Sequence, residues 1–239
     1  MRSMTNMKTD HTLQDRAEEL IALYAGLDGE ALLRPMIETE FPGRIALVSS
    51  FGSEAAVLLH IVSTIDKNLP VIFIDTGKMF GETLRYRDRL IAQLGLTGVR
   101  SLQPPEGEVA EQDPSGTLWH TNPDACCALR KVRPLENALE GFDAWISGRK
   151  HHHSALRAFL PTIEASGKFV KINPIVTWSP ERLAAEFASR DLPHHPLEED
   201  GFLSIGCMPC TARVPVGGDM RSGRWAGLDK TECGIHFDI

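Results

Sequence analysis

The sequence is poor in several things that a chain of its length could use. Its 239 residues include two tyrosines and five cysteines, and no basic excess: 25 Lys and Arg stand against 32 Asp and Glu, for a formal charge of -7. A general nucleic-acid binder needs a basic footprint to displace counterions, so that class is excluded and any anionic ligand must meet locally clustered Arg and Lys. No apolar run approaches the roughly eighteen residues of a membrane span. The opening MRSMTNMKTD is polar, without an apolar stretch or a small-residue cleavage site, so a cytoplasmic location with no membrane association is expected. In that reducing compartment an odd count of five cysteines disfavours structural disulfides and points to metal binding or catalysis.

With 42% hydrophobic side chains the chain can bury one large core, and a single domain is expected. Residues 1–43 hold one or two amphipathic helices in LQDRAEELIALYAGLDGEALLRPMIETE. From 44 to 195 short apolar strands alternate with helices. RIALVSS precedes FGSEAAVLLHIVSTI, and PVIFIDTG precedes GETLRYRDRLIAQLG, which Gly95 closes. VRSLQ, a helix over CCALRKVRPLENALEGF interrupted early by Pro134, and the strand DAWISGRK follow. This alternation predicts an α/β fold, a parallel twisted sheet with helices on both faces. Residues 196–239 are Gly-rich, with no long periodic segment, and read as a C-terminal tail or lid.

In open α/β sheets ligands sit beyond the carboxyl ends of the strands, which singles out SSFGSE, DTGKMF and SGRK. Ser50 and Ser53 can offer hydroxyl and N–H donors to a phosphate at a helix start, although small polar residues there are also ordinary caps. Asp75, Thr76 and Gly77 suit a nucleotide contact or a routine turn. The cysteines are more specific. Cys126 and Cys127 are adjacent, a pairing too strained for a mutual disulfide, and Cys207 and Cys210 form C-x-x-C. Four thiolates suit zinc or an iron–sulfur cluster. Adjacent cysteines ask for a wide object to bridge them, which favours a cubane cluster while leaving zinc open. Cys233 is left over, near Arg221, Arg224, Lys230 and His236, whose charges favour a nucleophilic thiolate over an inert tail thiol. His151, His152 and His153 point in different directions and cannot all face one ion; they read as a solvated or partly anion-facing loop. His194 and His195 read as part of a turn.

Together these motifs resemble the assimilatory sulfonucleotide reductases, which reduce adenosine 5'-phosphosulfate (APS) or its 3'-phosphorylated form (PAPS) to sulfite. The resemblance spans about residues 44–236, in the order SSFGSE, VIFIDTGKMFGETLRYRD, CCALRKVRPLENAL, WISGRK, KINPIVTWS, DLPHHPL, SIGCMPCT, RSGRW and ECGIH. It implies an adenine nucleotide α-hydrolase type of α/β fold, related to the ATP pyrophosphatases. It also implies that Cys233 attacks the phosphosulfate sulfur, expels AMP and carries an S-sulfo group until thioredoxin or glutaredoxin releases sulfite. Cys126, Cys127, Cys207 and Cys210 would bind a 4Fe-4S cluster, an arrangement associated with use of APS. Lys131 would pair with the sulfate, and Arg221, Arg224 and His236 would close over it. Arg149 and Arg157 would belong to an arginine loop, and Ser50, Ser53, Asp75, Thr76 and Gly77 to the nucleotide pocket.

Two other classes compete. A non-catalytic iron–sulfur or zinc sensor that binds a nucleotide would not need Cys233, and an RNA-thiolating enzyme would need the SGGxDS pyrophosphatase loop that SSFGSEAA lacks. PAPS as substrate, alone or beside APS, and assembly as a homo-oligomer stay open at this stage.

Overall fold

Short continuous apolar runs build the central strands, IALV, VIFI and AWI, because successive side chains enter cores on opposite faces of the sheet. The computed structural model describes residues 12–154, 157–215, 217–227, 230 and 232–236. α1 (Leu13–Leu23) and α2 (Gly29–Pro35) come first, the latter running into a wide π turn at Met36–Glu40. β1 (Ile45–Val48), α3 (Ala55–Ile65), β2 (Val71–Ile74), α4 (Gly81–Leu94) and β3 (Val99–Leu102) alternate as expected. Short helices α5 (Glu106–Gln112), α6 (Leu118–Thr121), α7 (Pro123–Cys127) and α8 (Arg133–Ala138) then lead to β4 (Ala144–Ile146). The hairpin β5 (Ile163–Ser166) and β6 (Phe169–Ile172) and the helix α9 (Pro180–Ser189) follow.

The six strands lie in the order β3-β2-β1-β4-β6-β5. All neighbours are parallel except β5, which pairs antiparallel with β6 at the edge. The mostly parallel α/β architecture is as expected; the hairpin at its edge is an addition to it. Period-two alternation sends Ile45 and Leu47, Val71 and Phe73, Ala144 and Ile146, and Val170 and Ile172 into one core. The N-terminal helices, α3, α4 and α9 cover that face. Ala46, Ile72, Trp145 and Phe169 point the other way, against Leu135 and Leu139 of the α8 region.

Two local details shape the site. The helical run that carries the adjacent cysteines starts at Pro123, where the Asn122 side chain accepts the Ala125 N–H at 3.1 Å. It widens into a π turn at Ala128–Val132 before α8. The wider turn absorbs Pro134, whose missing N–H would have interrupted a regular α-helix. At α4, Gly95 takes the left-handed C-cap at φ 65°, as its sequence position predicts.

Candidate active site

β1 sits between β2 and β4, so the chain builds outward in opposite directions from the β1–β4 pair. The loops that leave the carboxyl ends of these two strands diverge, and a cleft of about 190 Å³ opens between them. The loop after β1 supplies Ser49, Ser50, Gly52, Ser53 and Glu54; the loop after β4 supplies Ser147, Gly148, Arg149 and Lys150. Phe51 holds the first loop in shape. It is fully buried with its ring edge-on to Phe73 at 5.5 Å, and this packing keeps it at φ 49°, a left-handed conformation that few side chains adopt.

The cleft is cationic, and Glu54 is a part-buried carboxylate in its lining. Glu54 Oε2 accepts from Lys150 Nζ at 2.9 Å and from His153 Nε2 at 2.7 Å. Burial opposes the charge on Glu54, yet Lys150 and His153 outweigh it and hold the carboxyl well below its usual range. Burial pulls His153 down to about 4, so its ring is neutral at physiological pH. Arg149 is pinned by Glu164, by Asn173 Oδ1 at 3.3 Å and by Ser147 Oγ at 3.3 Å. Arg157 and Arg221 line the same cleft.

The adjacent cysteines and the C-x-x-C pair meet in a second cavity, lined also by Thr76, Lys78, Lys131, Arg224 and Trp225. The C-terminal segment is stitched to the loop after β2. The Met208 N–H donates to Lys78 O at 2.7 Å, and Thr76 Oγ1 lies 3.2 Å from Cys207 Sγ. Buried Arg130 ties the same loop to α5 by donating to Thr76 O at 2.9 Å and to Asp113 Oδ2 at 2.8 Å. All five cysteines are free thiols. Among the described residues, the only trio of metal-ligating atoms within 4.8 Å of one another is Glu54, His152 and His153, and Lys150 already occupies that carboxylate. Four soft sulfur donors in a cavity lined also by Lys78, Arg130, Lys131 and Arg224 fit a thiolate-bound metal centre, zinc or an iron–sulfur cluster.

Cys233 is buried beside this cavity. Its thiol is held well below the ordinary range: first by a hydrogen bond from Cys127, then, against burial, by Lys131, the Ile235 N–H and Arg224. Besides Cys127, the two cations and the Ile235 N–H favour the thiolate independently. Lys131 is held above its ordinary range because Cys207, Cys233 and Cys127 outweigh its burial. Arg224 fits a cradle left open by Gly206, where any Cβ would stand 1.8 Å from its Nη1. It donates to Thr211 Oγ1 at 3.1 Å and lies over the Trp225 ring at 4.5 Å.

The structure thus brings Ser50, Ser53, Arg149, Arg157 and Arg221 to the cleft, and Lys131 and Arg224 to the four cysteines. It places Thr76 against Cys207. Asp75 is engaged in a turn, accepting the Gly77 N–H at 3.0 Å and Gln103 Nε2 at 3.2 Å, and neither Asp75 nor Gly77 lines the cleft. The His236 side chain lies outside the described residues. The histidine tract is half-buried and turned inward: His151 Nε2 meets Leu160 O at 2.8 Å, and His153 meets Glu54. His195 is fully buried against Thr83 Oγ1 at 3.0 Å. Sequence reasoning missed Glu54, Lys150 and Glu232, whose partners stand far away along the chain.

A family model, the phosphoadenosine phosphosulfate reductase domain, matches residues 44–213. The adenosine 5'-phosphosulfate reductase of Chelativorans sp. (strain BNC1) is 47% identical over 222 residues, covering 92% of this chain and 91% of that protein. The phosphoadenosine 5'-phosphosulfate reductase of Gloeobacter violaceus is 37% identical, covering 93% of this chain and 94% of its own. Among solved structures, the phosphoadenylyl-sulfate reductase of Candida auris in its phosphate complex superposes with a TM-score of 0.71 at 28% identity, over 83% of this chain and 97% of that one. A mostly parallel sheet, a cationic cleft at its switch point and a thiolate-favouring cysteine beside four others now stand together with these likenesses, and the chain belongs to the phosphoadenosine phosphosulfate reductase family.

Proposed function

We propose that the protein reduces adenosine 5'-phosphosulfate to sulfite and AMP for sulfate assimilation. The observation that carries the reading is Cys233, buried where Cys127, Lys131, the Ile235 N–H and Arg224 all favour its thiolate, on a segment whose Ile235 reaches the cationic cleft. Its thiolate attacks the sulfur, the S–O bond to the AMP phosphate breaks, and AMP leaves with that oxygen and both electrons of the bond. Cys233 then carries an S-sulfo group. A thioredoxin-type dithiol attacks the Cys233 sulfur and expels sulfite; a second thiol of the reductant frees Cys233 and closes a disulfide, so the two electrons come from the reductant. A cytoplasmic setting suits this dependence.

In this reading Arg149, Arg157, Arg221 and Lys150 neutralise the phosphosulfate, so that the anionic nucleophile can approach an anionic substrate. Ser50 and Ser53 with the loop N–H groups receive the nucleotide phosphate. Lys131 and Arg224 stabilise the thiolate and the sulfonate it receives. Cys126, Cys127, Cys207 and Cys210 would hold a 4Fe-4S cluster, which would tie α7 to the C-terminal segment and add a fixed charge to the site. APS is favoured over PAPS by the 47% identical relative, itself an APS reductase. The test is sulfite release with thioredoxin from each substrate. Turnover of APS, lost in Cys233→Ser and at least tenfold slower with PAPS, is the expected result; equal turnover of PAPS would overturn the substrate assignment.

A further inference from the structure

One buried carboxylate stands next to the nucleophile and has no part in the chemistry just described. Glu232 is 8% exposed. It accepts two hydrogen bonds from Arg157, Nε to Oε2 at 2.8 Å and Nη2 to Oε1 at 2.6 Å, and a third from Arg221 Nη2 at 3.1 Å. Its Oε1 also lies 3.3 Å from the Cys233 N–H. A carboxylate buried beside an anion-binding cleft is costly unless it is fully paired, and here it is. The pairing is bidentate, so it fixes the orientation of the Arg157 fork as well as its position. The Nη1 that Glu232 leaves alone reaches His153 Nδ1 at 3.3 Å, in the lining of the cleft. The substrate's anion therefore does not have to displace Glu232 to meet Arg157.

Glu232 and Arg157 are 75 positions apart, and the other described ties on this stretch run to α7 and the smaller core. Lys230 pairs with the exposed Asp124, and Ile235 is only partly buried against the smaller core. Among the described residues, the cluster of Glu232, Arg157 and Arg221 is thus the polar anchor that ties the Cys233 segment to the cleft, as the Cys127 hydrogen bond and the Lys230–Asp124 pair tie it to α7.

We propose that Glu232 is a positioning residue: its carboxylate latches the C-terminal segment to Arg157 and Arg221, and Cys233 is inside the site only while that latch is closed. The inference rests on the proposed function for the role of Cys233. Arginines that receive the substrate also hold the nucleophile's backbone, which couples a filled cleft to a placed thiolate. Release of the segment exposes the S-sulfo group to a reductant too large to enter the cleft.

The test uses anaerobically prepared protein with its cluster, as wild type, E232Q and E232D. Amide hydrogen exchange of residues 230–236 is read without substrate, because it is blind to the ionisation of the thiol. E232Q keeps the shape and loses the charge, and is expected to exchange there at least tenfold faster, with the sheet unchanged. In single turnover with APS it should form the Cys233 adduct at least tenfold more slowly, while thioredoxin releases sulfite from the adduct at the wild-type rate. E232D keeps the charge on a shorter arm and should fall between the two. Unchanged exchange, or equal slowing of both half-reactions, overturns the proposal. If E232Q does not fold, wild-type exchange in E232D overturns it equally. Absence of any adduct in the wild type would sink the proposed function, while the exchange rates would still decide the latch.

Discussion

Replacing Gly206 by alanine would put a Cβ 1.8 Å from Arg224 Nη1 and 2.4 Å from its Cζ and Nη2. Gly206 has no left-handed φ, so backbone strain does not confound the change. Alanine has no rotamer to relieve the clash, and Arg224 must leave its seat. The clash involves the far end of a flexible side chain, so the cost in stability is that of the contacts given up. These are the hydrogen bond to Thr211 at 3.1 Å and the Trp225 face at 4.5 Å, about 1 kcal/mol and about 0.5–1 kcal/mol. In a domain of this size the thermal midpoint falls by about 3–8 °C. The functional loss is larger, because a preorganised cation that stabilises transferred charge is worth about 10²-fold in rate. Rapid-quench measurement of Cys233 adduct formation is the assay. The decisive control is Arg224→Ala, which should lose the same factor, and in whose background Gly206→Ala should cost nothing more, since the clashing atoms are gone. Full activity in Gly206→Ala, or losses that multiply in the double variant, would refute the reasoning.

Other consequences can be measured separately. Asp113→Ala leaves Arg130 buried without its carboxylate and should lower unfolding free energy by about 3–5 kcal/mol in a urea titration. Cys207→Ala should abolish iron binding and the visible absorbance of the purified protein, and loosen the C-terminal segment to proteolysis. Burial depresses His195 to about 4 in the folded chain, against about 6.5 when unfolded. Between those values only the unfolded chain takes up the proton, so stability is complete above pH 6.5. It falls as pH is lowered toward 4, by about 1.4 kcal/mol per unit for this group. Urea midpoints between pH 7.5 and 4.5 read that slope together with the equal one from His153, and His195→Asn should lower the total by about 1.4 kcal/mol per unit.

Strands β1, β2 and β4 are legible because each is a short apolar run closed by turn residues, β3 from its place in the strand–helix alternation, and the four cysteines because their spacing has few other uses. The β5–β6 hairpin was hidden by its charges. Lys171 is 1% exposed and over the Trp145 ring at 4.5 Å, and Glu164 is turned in toward Arg149, so a charged residue interrupts each of these four-residue strands. The same reason concealed much of the site. Glu54 meets Lys150 and His153, and Glu232 meets Arg157, across separations that leave no local signal. Thr76 reads as a nucleotide contact from its place after β2; the C-terminal segment, folding back through Met208 and Lys78, gives it Cys207 as a neighbour.

The central claim is that Cys233 takes the sulfonyl group from APS. Anaerobically prepared protein mixed with APS labelled at sulfur, with no thioredoxin present, should carry one label, mapped by peptide mass to Cys233 and discharged as sulfite when thioredoxin is added. Label on another cysteine, or sulfite formed with no covalent stage, would contradict the account.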